Sequence, residues 1–567
     1  MTVLVAPSAR ARRSGGARKA LIEAAQVRLA ALAMLFGAAI AAIMIRLAVL
    51  AFAATPAAAQ DPLANLPPRG DIADRNGQPL AQSIEGWSIA IHPNQVIGNK
   101  GELAQKLAQM FPEKSAGQYY ALLNSGGNFA WLKRRALPEV AKAANALGEP
   151  GIELMREPDR LYPQSALAAH VRGHLKADGH GALGMEKVLD ERLLSADGRK
   201  GPVRLSLDVR VQAALENELA TAMASFQAKG AAGVILDVHT GEIVAMVSLP
   251  SFNPNALNGI PPRNNVTQSR YELGSAFKPI AMAAAIDSGT VTSMARRFDA
   301  IEPLKIGRFT IRDDHPQKRF LNIPELLIHS SNIATARIAD LMGREPLEKI
   351  FRAMEFDKPL AIEVEKWGTL WPRDWGRSTT LTTAYGHGIA VTPLHLACAY
   401  AALVNGGIWR QPTLMLVPEG KASEGARVIS EATSARMRQL LRLIVTEGTG
   451  RFADAPGFRV GGKTGTAEVP GAKGYSASEN VTTFAASFPM DTPRYVVIAM
   501  LDSPIGNAVS FGQRTAAYTA APVVRRVVSR TGPLLGVIPD ARRDIDLTEL
   551  KPLIWHNPAE AKTGAPE

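Results

Sequence analysis

The uncharged segment LAALAMLFGAAIAAIMI, from Leu29 to Ile45, constrains the fold of this chain more than any other stretch. After Arg46 the apolar run continues as LAVLAFAA. About 20 apolar residues cross a bilayer as a helix, and an arginine near one end of such a helix can extend its guanidinium to the interface. We therefore predict a transmembrane anchor over residues 29–54.

The charges around this segment predict its orientation. The tail 1–28 holds one acid, Glu23, and an excess of basic residues, which are Arg10, Arg12, Arg13, Arg18, Lys19 and Arg28. No basic residue follows Arg46 until Arg69, so the positive-inside rule places the tail in the cytoplasm and the chain after about residue 55 outside it. The alternative is a signal peptide cleaved near Ala59. Secretory apolar regions run about 7–15 residues and this one is longer, which favours an uncleaved anchor.

Composition narrows the class of protein. With 567 residues, 46% apolar and 20% charged, the chain is predicted to be globular and to contain several domains. The formal charge of +12 suggests an anionic partner, but no segment combines a basic run with interleaved aromatic residues, so nucleic acid is not predicted. The single cysteine, Cys398, excludes an intrachain disulfide and is predicted to be a buried core residue.

Changes in pattern divide the chain beyond the anchor. An alanine- and proline-rich linker covers residues 55–68. Residues 69–200 open with an Asn-Gly hairpin signal and continue with helical periodicity. Residues 203–535 carry strand-like runs near both ends and helical stretches between them, which predicts a mixed sheet domain with an inserted helical block. The polar tail 536–567 is predicted to be loosely held.

The stretch YELGSAFKPI places Ser275 and Lys278 three residues apart. On a helix these positions share one face, so an amine lies beside a hydroxyl, which is a weak nucleophile until a base removes its proton. Gly274 leaves room for a close backbone approach, and Pro279 is tolerated in a first helical turn. The alternative is that the serine only caps a helix. No other lysine in the sequence has a serine three residues before it.

Two further motifs follow in order, and their residues are Ser330, Ser331 and Asn332 in HSSNIATA, then Lys463, Thr464, Gly465 and Thr466 in GGKTGTAE. S-x-x-K, S-x-N and K-T-G in this order form the signature of penicillin-binding proteins and class A β-lactamases. The two shorter motifs also recur, with S-x-N at 251–253 and 478–480 and K-T-G at 562–564. We interpret the last copy as coincidence, because it lies in the tail without a strand pattern.

Nearly the whole chain resembles a monofunctional, class B penicillin-binding protein. Outside the catalytic motifs the likeness is carried by RGDIADRNGQPLA, RLYP, GALGMEKVLDERL, LPSFNPN and TTAYGHGIAVTPLHLACAYAALVNGG. IRDDHP followed by SSN resembles the septal branch, penicillin-binding protein 3, which cross-links the wall at division. The elongation branch tends to carry aspartate where this chain has Asn332, and an elongation-type transpeptidase is the alternative within the family.

The resemblance implies an α+β fold. The transpeptidase domain would be similar to the serine β-lactamases, with an antiparallel sheet and a helical block, and would follow an α+β pedestal domain of the dimerisation type and one transmembrane helix. It implies no metal and no cofactor.

The resemblance also implies roles for the motif residues. Ser275 would attack the penultimate D-alanine of a stem peptide, and Lys278 would be its base, kept neutral by burial and by a nearby cation such as Lys463. Ser330 would relay a proton to the leaving amine, and Asn332 would orient Lys278 and the substrate amide. The terminal carboxylate of the substrate would be bound by the segment Lys463, Thr464, Gly465 and Thr466. The backbone amides of Ser275 and Thr466 would form the oxyanion hole.

Three rival functions are weighed against this one. A class A β-lactamase needs a glutamate three residues before an asparagine, and between the second and third motifs the one asparagine, Asn405, has Ala402 in that place. A bifunctional enzyme would need a glycosyltransferase domain, for which the region before Val203 is too short. A non-catalytic scaffold or β-lactam sensor could lose site residues, whereas this chain keeps them.

The resemblance implies partners and a location. The substrates would be stem peptides on lipid-linked nascent glycan, and β-lactam antibiotics would bind covalently. A septal glycan polymerase and other division proteins would be the protein partners. The protein would be a single-pass protein of the bacterial inner membrane, with its N-terminus cytoplasmic and its catalytic domain periplasmic.

Overall fold

The structure is a computed structural model that describes residues 13–53, 68–176, 178–257, 259–307, 309–421, 424–471 and 474–556. The helices are α1 Arg13–Ala53, α2 Lys100–Met110, α3 Ala116–Leu123, α4 Pro138–Asn145, α5 Ala169–Arg172, α6 Gly184–Val188, α7 Asp190–Leu194, α8 Val209–Ser225, α9 Lys278–Asp287, α10 Ile323–Ile328, α11 Asn332–Met342, α12 Arg344–Ala353, α13 Arg377–Thr383, α14 Pro393–Val404, α15 Glu431–Glu447 and α16 Ala520–Thr531.

The strands are β1 Ile72–Ala73, β2 Pro79–Ile91, β3 Ala130–Ala136, β4 Ile152–Leu161, β5 His174–Leu175, β6 Gly181–Leu183, β7 Val203–Arg204, β8 Gly230–Asp237, β9 Ile243–Leu249, β10 Phe298–Asp299, β11 Leu304–Ile306, β12 Phe309–Ile311, β13 Phe320–Leu321, β14 Ile408–Arg410, β15 Gly425–Arg427, β16 Gly461–Gly471, β17 Gly474–Phe488 and β18 Tyr495–Asp502. The chain divides into two compact units, 1–65 with 87–156 and 66–86 with 157–567. The predicted domain boundaries at 69–200 and 203–535 stay predictions.

Helix α1 contains the predicted anchor. Its segment Glu23–Leu47 has 25 residues with a mean hydropathy of 2.2 and is long and apolar enough to cross a membrane. Large apolar side chains such as Leu35 and Phe36 are about 70% exposed along it, as a lipid-facing helix requires. The helix begins at Arg13, so it includes part of the basic segment. The predicted linker and Ala59 lie outside the described residues.

In the unit that contains residues 87–156, strand β2 pairs with β3 in antiparallel fashion, and helices α2, α3 and α4 belong to the same stretch of chain. The helix starts follow from the sequence. Asn99 accepts hydrogen bonds from the first amides of α2, and Ser115 forms a capping box with Gln118 at α3. The core beneath them is built from Ile89, Ile91, Leu103, Leu107, Phe111, Tyr119 and Leu123.

In the larger unit, the predicted Asn-Gly hairpin is confirmed. Strands β1 and the start of β2 pair in antiparallel fashion around a turn in which Gly77 has a φ of +87°. The family motifs of this region meet at a buried charge cluster, where fully buried Glu186 accepts hydrogen bonds from Arg69 Nε at 2.8 Å and Arg160 Nε at 2.7 Å. A carboxylate buried in this way costs little because it is fully paired.

The centre of the larger unit is a five-stranded antiparallel sheet in the order β16-β17-β18-β8-β9. Its inner strands are buried on both faces, which explains their continuous apolar sequences. Val234 of β8 faces a core shared with α9 and α14, and the next residue, Ile235, faces a core shared with α8 and α16. The predicted α+β fold, with a helical block between β9 and β16, is confirmed.

The predicted loosely held tail is wrong for residues 536–556. Leu547 and Leu550 are buried in the core, and Asp544 pairs with Arg442 of α15 at 2.7 Å. Near its end, the Trp555 amide donates to Glu325 Oε1 at 3.0 Å. The polar composition did not indicate these contacts, because a few buried or paired side chains are enough to hold a segment that has no regular secondary structure.

Candidate active site

Ser275 lies in a 3-10 turn, Gly274–Phe277, which leads directly into α9 at Lys278. Gly274 has a φ of +51°, and a side chain there would lie 2.6 Å from the carbonyl oxygen of Thr466, so glycine is required twice over. Tyr400 holds the turn in place, because its hydroxyl donates to the carbonyl of Ala276 at 2.9 Å. The half-buried Ser275 side chain is thereby presented at the start of a rigid helix.

Lys278 is fully buried, and its Nζ donates to the carbonyl oxygen and to Oγ of Ser330, the latter at 3.1 Å. Burial disfavours the charged amine and lowers the pKa of Lys278 to about 7, although Asp313 and Asp314 act in the opposite direction. A substantial fraction of neutral amine is therefore present at neutral pH, as a base requires.

Lys463 of β16 is also fully buried and approaches the same hydroxyl. Its Nζ donates to Ser330 Oγ at 2.9 Å and to Thr464 Oγ1 at 3.1 Å. Burial and then repulsion from Lys278 lower the pKa of Lys463 well below its ordinary value. Of the two causes predicted for the neutral state of Lys278, burial lowers its pKa, whereas Lys463 is not among the groups that shift it.

Ser330 occupies the turn between α10 and α11 and has a φ of +57°, a left-handed conformation that is costly for a serine. That conformation places one hydroxyl within hydrogen-bond distance of two buried lysines. The next residue, Ser331, caps α11 by accepting from the Ala334 amide at 3.0 Å. The S-x-N motif therefore combines a strained residue with a helix start.

Sequence reasoning missed the role of Asp313, which lies in the loop after β12. Its Oδ1 accepts from the amides of Asn332 at 2.6 Å and Ile333 at 2.9 Å, and its Oδ2 accepts from Ser331 Oγ at 2.7 Å. A carboxylate at a helix N-terminus is favourable, so this contact holds the S-x-N turn in place. The motif IRDDHP gave a signal, but it was used only to choose a branch of the family.

The side chain of Asn332 points elsewhere than predicted. Its Nδ2 donates to the carbonyl of Arg312 at 2.9 Å, and among the hydrogen bonds of the described residues none joins it to Lys278. Hydrogen bonds thus bring together Lys278, Ser330 and Lys463, while Ser275 lies in the turn that leads directly into Lys278 and Asn332 lies on the adjoining first turn of α11.

The K-T-G segment forms the edge strand of the central sheet, where Lys463 pairs with Ala485 and Thr466 with Thr482. A side chain at Gly465 would lie 2.3 Å from the Leu273 carbonyl oxygen, so this glycine lets the strand approach the nucleophile turn. Thr466 Oγ1 accepts from the Ala516 amide at 3.1 Å.

A second residue that the sequence did not indicate is Thr449, which follows α15. It accepts a hydrogen bond from Thr464 Oγ1 at 3.2 Å and so orients that hydroxyl. No motif spacing connects residues 449 and 464, and only the packing of α15 against β16 brings them together.

The other motif copies have separate surroundings. Ser251 Oγ donates to the Ala166 carbonyl at 3.0 Å, and Asn480 lies within β17. The K-T-G copy at 562–564 lies outside the described residues. In the described ranges, no three His, Cys, Asp or Glu side chains are grouped to hold a metal ion.

Comparisons with known proteins agree with this architecture. Residues 231–529 match the penicillin binding protein transpeptidase domain, and residues 64–212 match the penicillin-binding protein dimerisation domain. The probable peptidoglycan D,D-transpeptidase FtsI of Caulobacter vibrioides is 40% identical over 83% of this chain and 82% of its own length. The peptidoglycan D,D-transpeptidase FtsI of Escherichia coli K12 is 28% identical over 85% of this chain and 86% of its own length.

Solved structures give the same result. Penicillin-binding protein 3 of Mycobacterium tuberculosis, complexed with ampicillin, matches with a TM-score of 0.66 and 25% identity over 85% of this chain and 97% of that chain. The transpeptidase domain of penicillin-binding protein 3 from Burkholderia pseudomallei matches with a TM-score of 0.54 and 28% identity, covering 59% of this chain and 97% of its own. The predicted resemblance is confirmed: this chain belongs to the class B penicillin-binding proteins, as a peptidoglycan D,D-transpeptidase of the penicillin-binding protein 3 type.

Proposed function

We propose that Ser275 carries the acyl group in this septal peptidoglycan D,D-transpeptidase and that Lys278 is its base. The observation that supports this most directly is the Ser330 hydroxyl, which lies 3.1 Å from Lys278 Nζ and 2.9 Å from Lys463 Nζ. A buried amine with a pKa near 7 can accept a proton from a neighbouring hydroxyl at neutral pH.

In the first half-reaction, Ser275 Oγ attacks the carbonyl carbon of the penultimate D-alanine, and its proton moves to Lys278. The carbon–nitrogen bond to the last D-alanine breaks, and the departing nitrogen takes a proton through Ser330. The substrate carboxylate lies against Lys463, Thr464 and Thr466, and the amides of Ser275 and Thr466 stabilise the oxyanion. Loss of one such donor typically costs about 10²–10³ in rate.

In the second half-reaction, an amine of another stem peptide attacks the ester of Ser275. A new amide bond forms and the ester bond to Ser275 Oγ breaks. The amine loses a proton to neutral Lys278, and the lysine returns a proton to Ser275 Oγ, which restores the hydroxyl. Because its side chain donates to the Arg312 carbonyl and not to Lys278, we assign Asn332 to the substrate amide alone.

A long-lived acyl-enzyme distinguishes this function from that of a β-lactamase. Asn405 offers no deacylation site, because its Nδ2 donates to the carbonyls of Val238 and Ile408, both at 2.8 Å, and so serves the turn after α14. Ala402, in the place of the missing glutamate, is fully buried. Both observations favour slow hydrolysis.

The test is covalent labelling with a fluorescent penicillin. We expect one stable adduct, placed on Ser275 by peptide mapping, and no adduct in Ser275→Ala or Lys278→Ala. Ser251→Ala, in the S-x-N copy far from the motif series, is the matched control and should label like the wild type. Labelling that survives Ser275→Ala would refute the nucleophile, and an adduct that hydrolyses within seconds would favour a β-lactamase.

We also propose a single-pass arrangement in the bacterial inner membrane, with the basic tail cytoplasmic and the catalytic unit periplasmic. The apolar segment of α1 and the basic residues before it support this topology. The proposed partners are lipid-linked nascent glycan, a septal glycan polymerase and other division proteins. Mass spectrometry of the mature protein should find α1 retained; a new N-terminus at Gln60 would mean a cleaved signal peptide.

A further inference from the structure

Two arginines stack on one tryptophan, and one of them, Arg270, lies on the segment that leads into the turn Gly274–Phe277. The guanidinium carbons of Arg263 and Arg270 lie 4.7 Å and 5.4 Å from the centroid of the Trp367 ring, so they are at most about 10 Å apart. Both arginine side chains are exposed. Stacking on an indole restricts a guanidinium while leaving its N–H groups free to bind an anion.

Neither guanidinium has an acidic partner within the described part of the chain. The nearby carboxylates are engaged elsewhere. Glu365 accepts from the Gly184 amide at 3.1 Å and pairs with Lys187 at 3.3 Å, and Glu272 accepts from the Gly388 amide at 3.0 Å. The two arginines therefore present positive charge that no acidic side chain of the described residues neutralises.

The backbone around this pair is fixed. The Trp367 amide donates to the Thr267 carbonyl at 2.9 Å, and the carbonyl of Arg263 accepts from Ser248 Oγ at 3.2 Å. The residue after Arg270, Tyr271, exchanges two hydrogen bonds with Val391, at 2.9 Å and 3.0 Å. The arginines therefore project from rigid segments rather than from a mobile loop.

The position of Arg270 in the chain limits its distance from the nucleophile. Ser275 is five positions after Arg270 in the sequence, so their Cα atoms are at most about 18 Å apart along an extended chain. The donor peptide's terminal carboxylate already has a partner in Lys463 and the adjoining threonines. Cross-linking requires a second peptide, which must reach the ester from outside the cleft and which carries carboxylates of its own.

We propose that Arg263 and Arg270, stacked on Trp367, bind a carboxylate of the acceptor stem peptide and so direct its amine to the acyl-enzyme. This inference rests on the proposed function of Ser275. The two arginines act in the second half-reaction only, because the donor peptide and a β-lactam bind without an acceptor. Two exposed charged contacts of ordinary strength together amount to about a tenfold effect.

The experiment uses the full-length protein in zwitterionic lipid nanodiscs and a peptide thioester as donor. The acceptors are a stem tripeptide with a side-chain amine and free carboxylates, and the same tripeptide with its carboxylates amidated. For Arg263→Gln/Arg270→Gln we expect kcat/KM for the free-carboxylate acceptor to fall about tenfold, mainly through KM. With the amidated acceptor, the variant and the wild type should be equal.

Two controls separate charge from folding. Arg525→Gln/Arg542→Gln removes two exposed charges from other surfaces and should behave like the wild type, and Arg263→Lys/Arg270→Lys should recover most of the loss. Raising the ionic strength should lower kcat/KM for the free-carboxylate acceptor in the wild type. It should have little effect on that value in the glutamine variant.

An equal loss with both acceptors would overturn the proposal, because it would indicate a structural role for the arginines. No loss with either acceptor would also overturn it, as would a loss seen only when anionic lipid is added to the nanodiscs. Failure of the wild type to form any penicillin adduct on Ser275 would instead refute the proposed function, so the two failures are distinguishable.

Discussion

At the scale of single residues, the Ser330 hydroxyl connects two amines that are both fully buried. Two ammonium groups sharing one oxygen would repel each other strongly in a buried, low-dielectric site. Burial lowers the pKa of both amines, and repulsion from Lys278 lowers the pKa of Lys463 further. The site therefore holds fewer protons at neutral pH than two exposed lysines would, and this deficit is what makes a base available.

A substitution at Asp313 tests whether a neutral buried lysine is the base. The measurement is the pH dependence of the acylation rate. Its negative charge raises the pKa of Lys278, so Asp313→Asn should lower that pKa and leave more neutral amine at low pH. The acid limb of the penicillin acylation rate, with its midpoint near pH 7, should move to lower pH by roughly half a unit to one unit. The rate constant should be measured from pH 5.5 to pH 9.

Ser331→Ala is the control, since it removes a hydrogen bond to Asp313 but no charge. It should lower the rate without moving the midpoint. A midpoint that stays in place or rises in Asp313→Asn would show that the aspartate only holds the turn.

At the scale of elements, the active site is a close contact between the edge strand β16 and the nucleophile turn. Gly465 makes that contact possible, because any side chain would meet the Leu273 carbonyl at 2.3 Å and the Ala276 side chain at 3.0 Å. The opposing atoms are mostly backbone, so they cannot move aside without displacing Ser275.

Gly465→Ala should therefore separate the strand from the turn. We expect the acylation rate to fall by a factor of ten or more and the free energy of unfolding to fall by about 1–3 kcal/mol, as for other overpacked sites. Labelling kinetics and urea denaturation measure the two effects. Gly201→Ala is the control, as a side chain there would have no atom within 4 Å; an active Gly465→Ala enzyme would contradict the close-contact argument.

The predictable parts of the site are those coded by local spacing. Ser275 and Lys278 share a helical turn, and Lys463 sits beside two glycines before a strand pair, so the motifs indicate both elements. Asp313 and Thr449 reach the site only through tertiary packing, and no sequence period points to them. The direction of the Asn332 side chain depends on the carbonyl of Arg312, a contact that the motif does not encode.

The same limit applies to the fold. The strand and helix patterns predicted an α+β domain with a helical block, but not the order of the sheet, in which β8 lies beside β18. Segments 66–86 and 157–200 belong to the larger compact unit although the chain between them forms part of the other. Buried contacts such as Arg69 with Glu186 join those segments across more than a hundred residues, and composition alone does not reveal them.

At the scale of the whole molecule, residues 540–556 pack against the helical block, and we call this segment the strap. Leu547 and Leu550 are buried, and fully buried Glu325 accepts from the Trp555 amide while capping α10, the helix that leads to Ser330. The C-terminal segment up to Trp555 therefore supports the S-x-N turn.

Two truncations test the strap. Deleting residues 560–567 should leave stability and penicillin labelling unchanged, because the buried leucines remain. Deleting residues 540–567 should lower the free energy of unfolding by roughly 3–6 kcal/mol, the usual value for exposing two leucines, and should slow labelling. Urea denaturation and labelling kinetics measure both; equal behaviour of the two truncations would show that the strap is not needed.

The sheet order also has a consequence in time. Val234 and Ile498 are direct partners in the central sheet, yet a ribosome adding 5–20 residues per second needs roughly 13–50 s to travel from one to the other. During that interval Ser275 has already been made, while Lys463 and the strand that carries it are still missing for most of the time. Ser275 and its proposed base, Lys278, therefore emerge long before Lys463, and the full set of site residues exists only when synthesis is nearly complete.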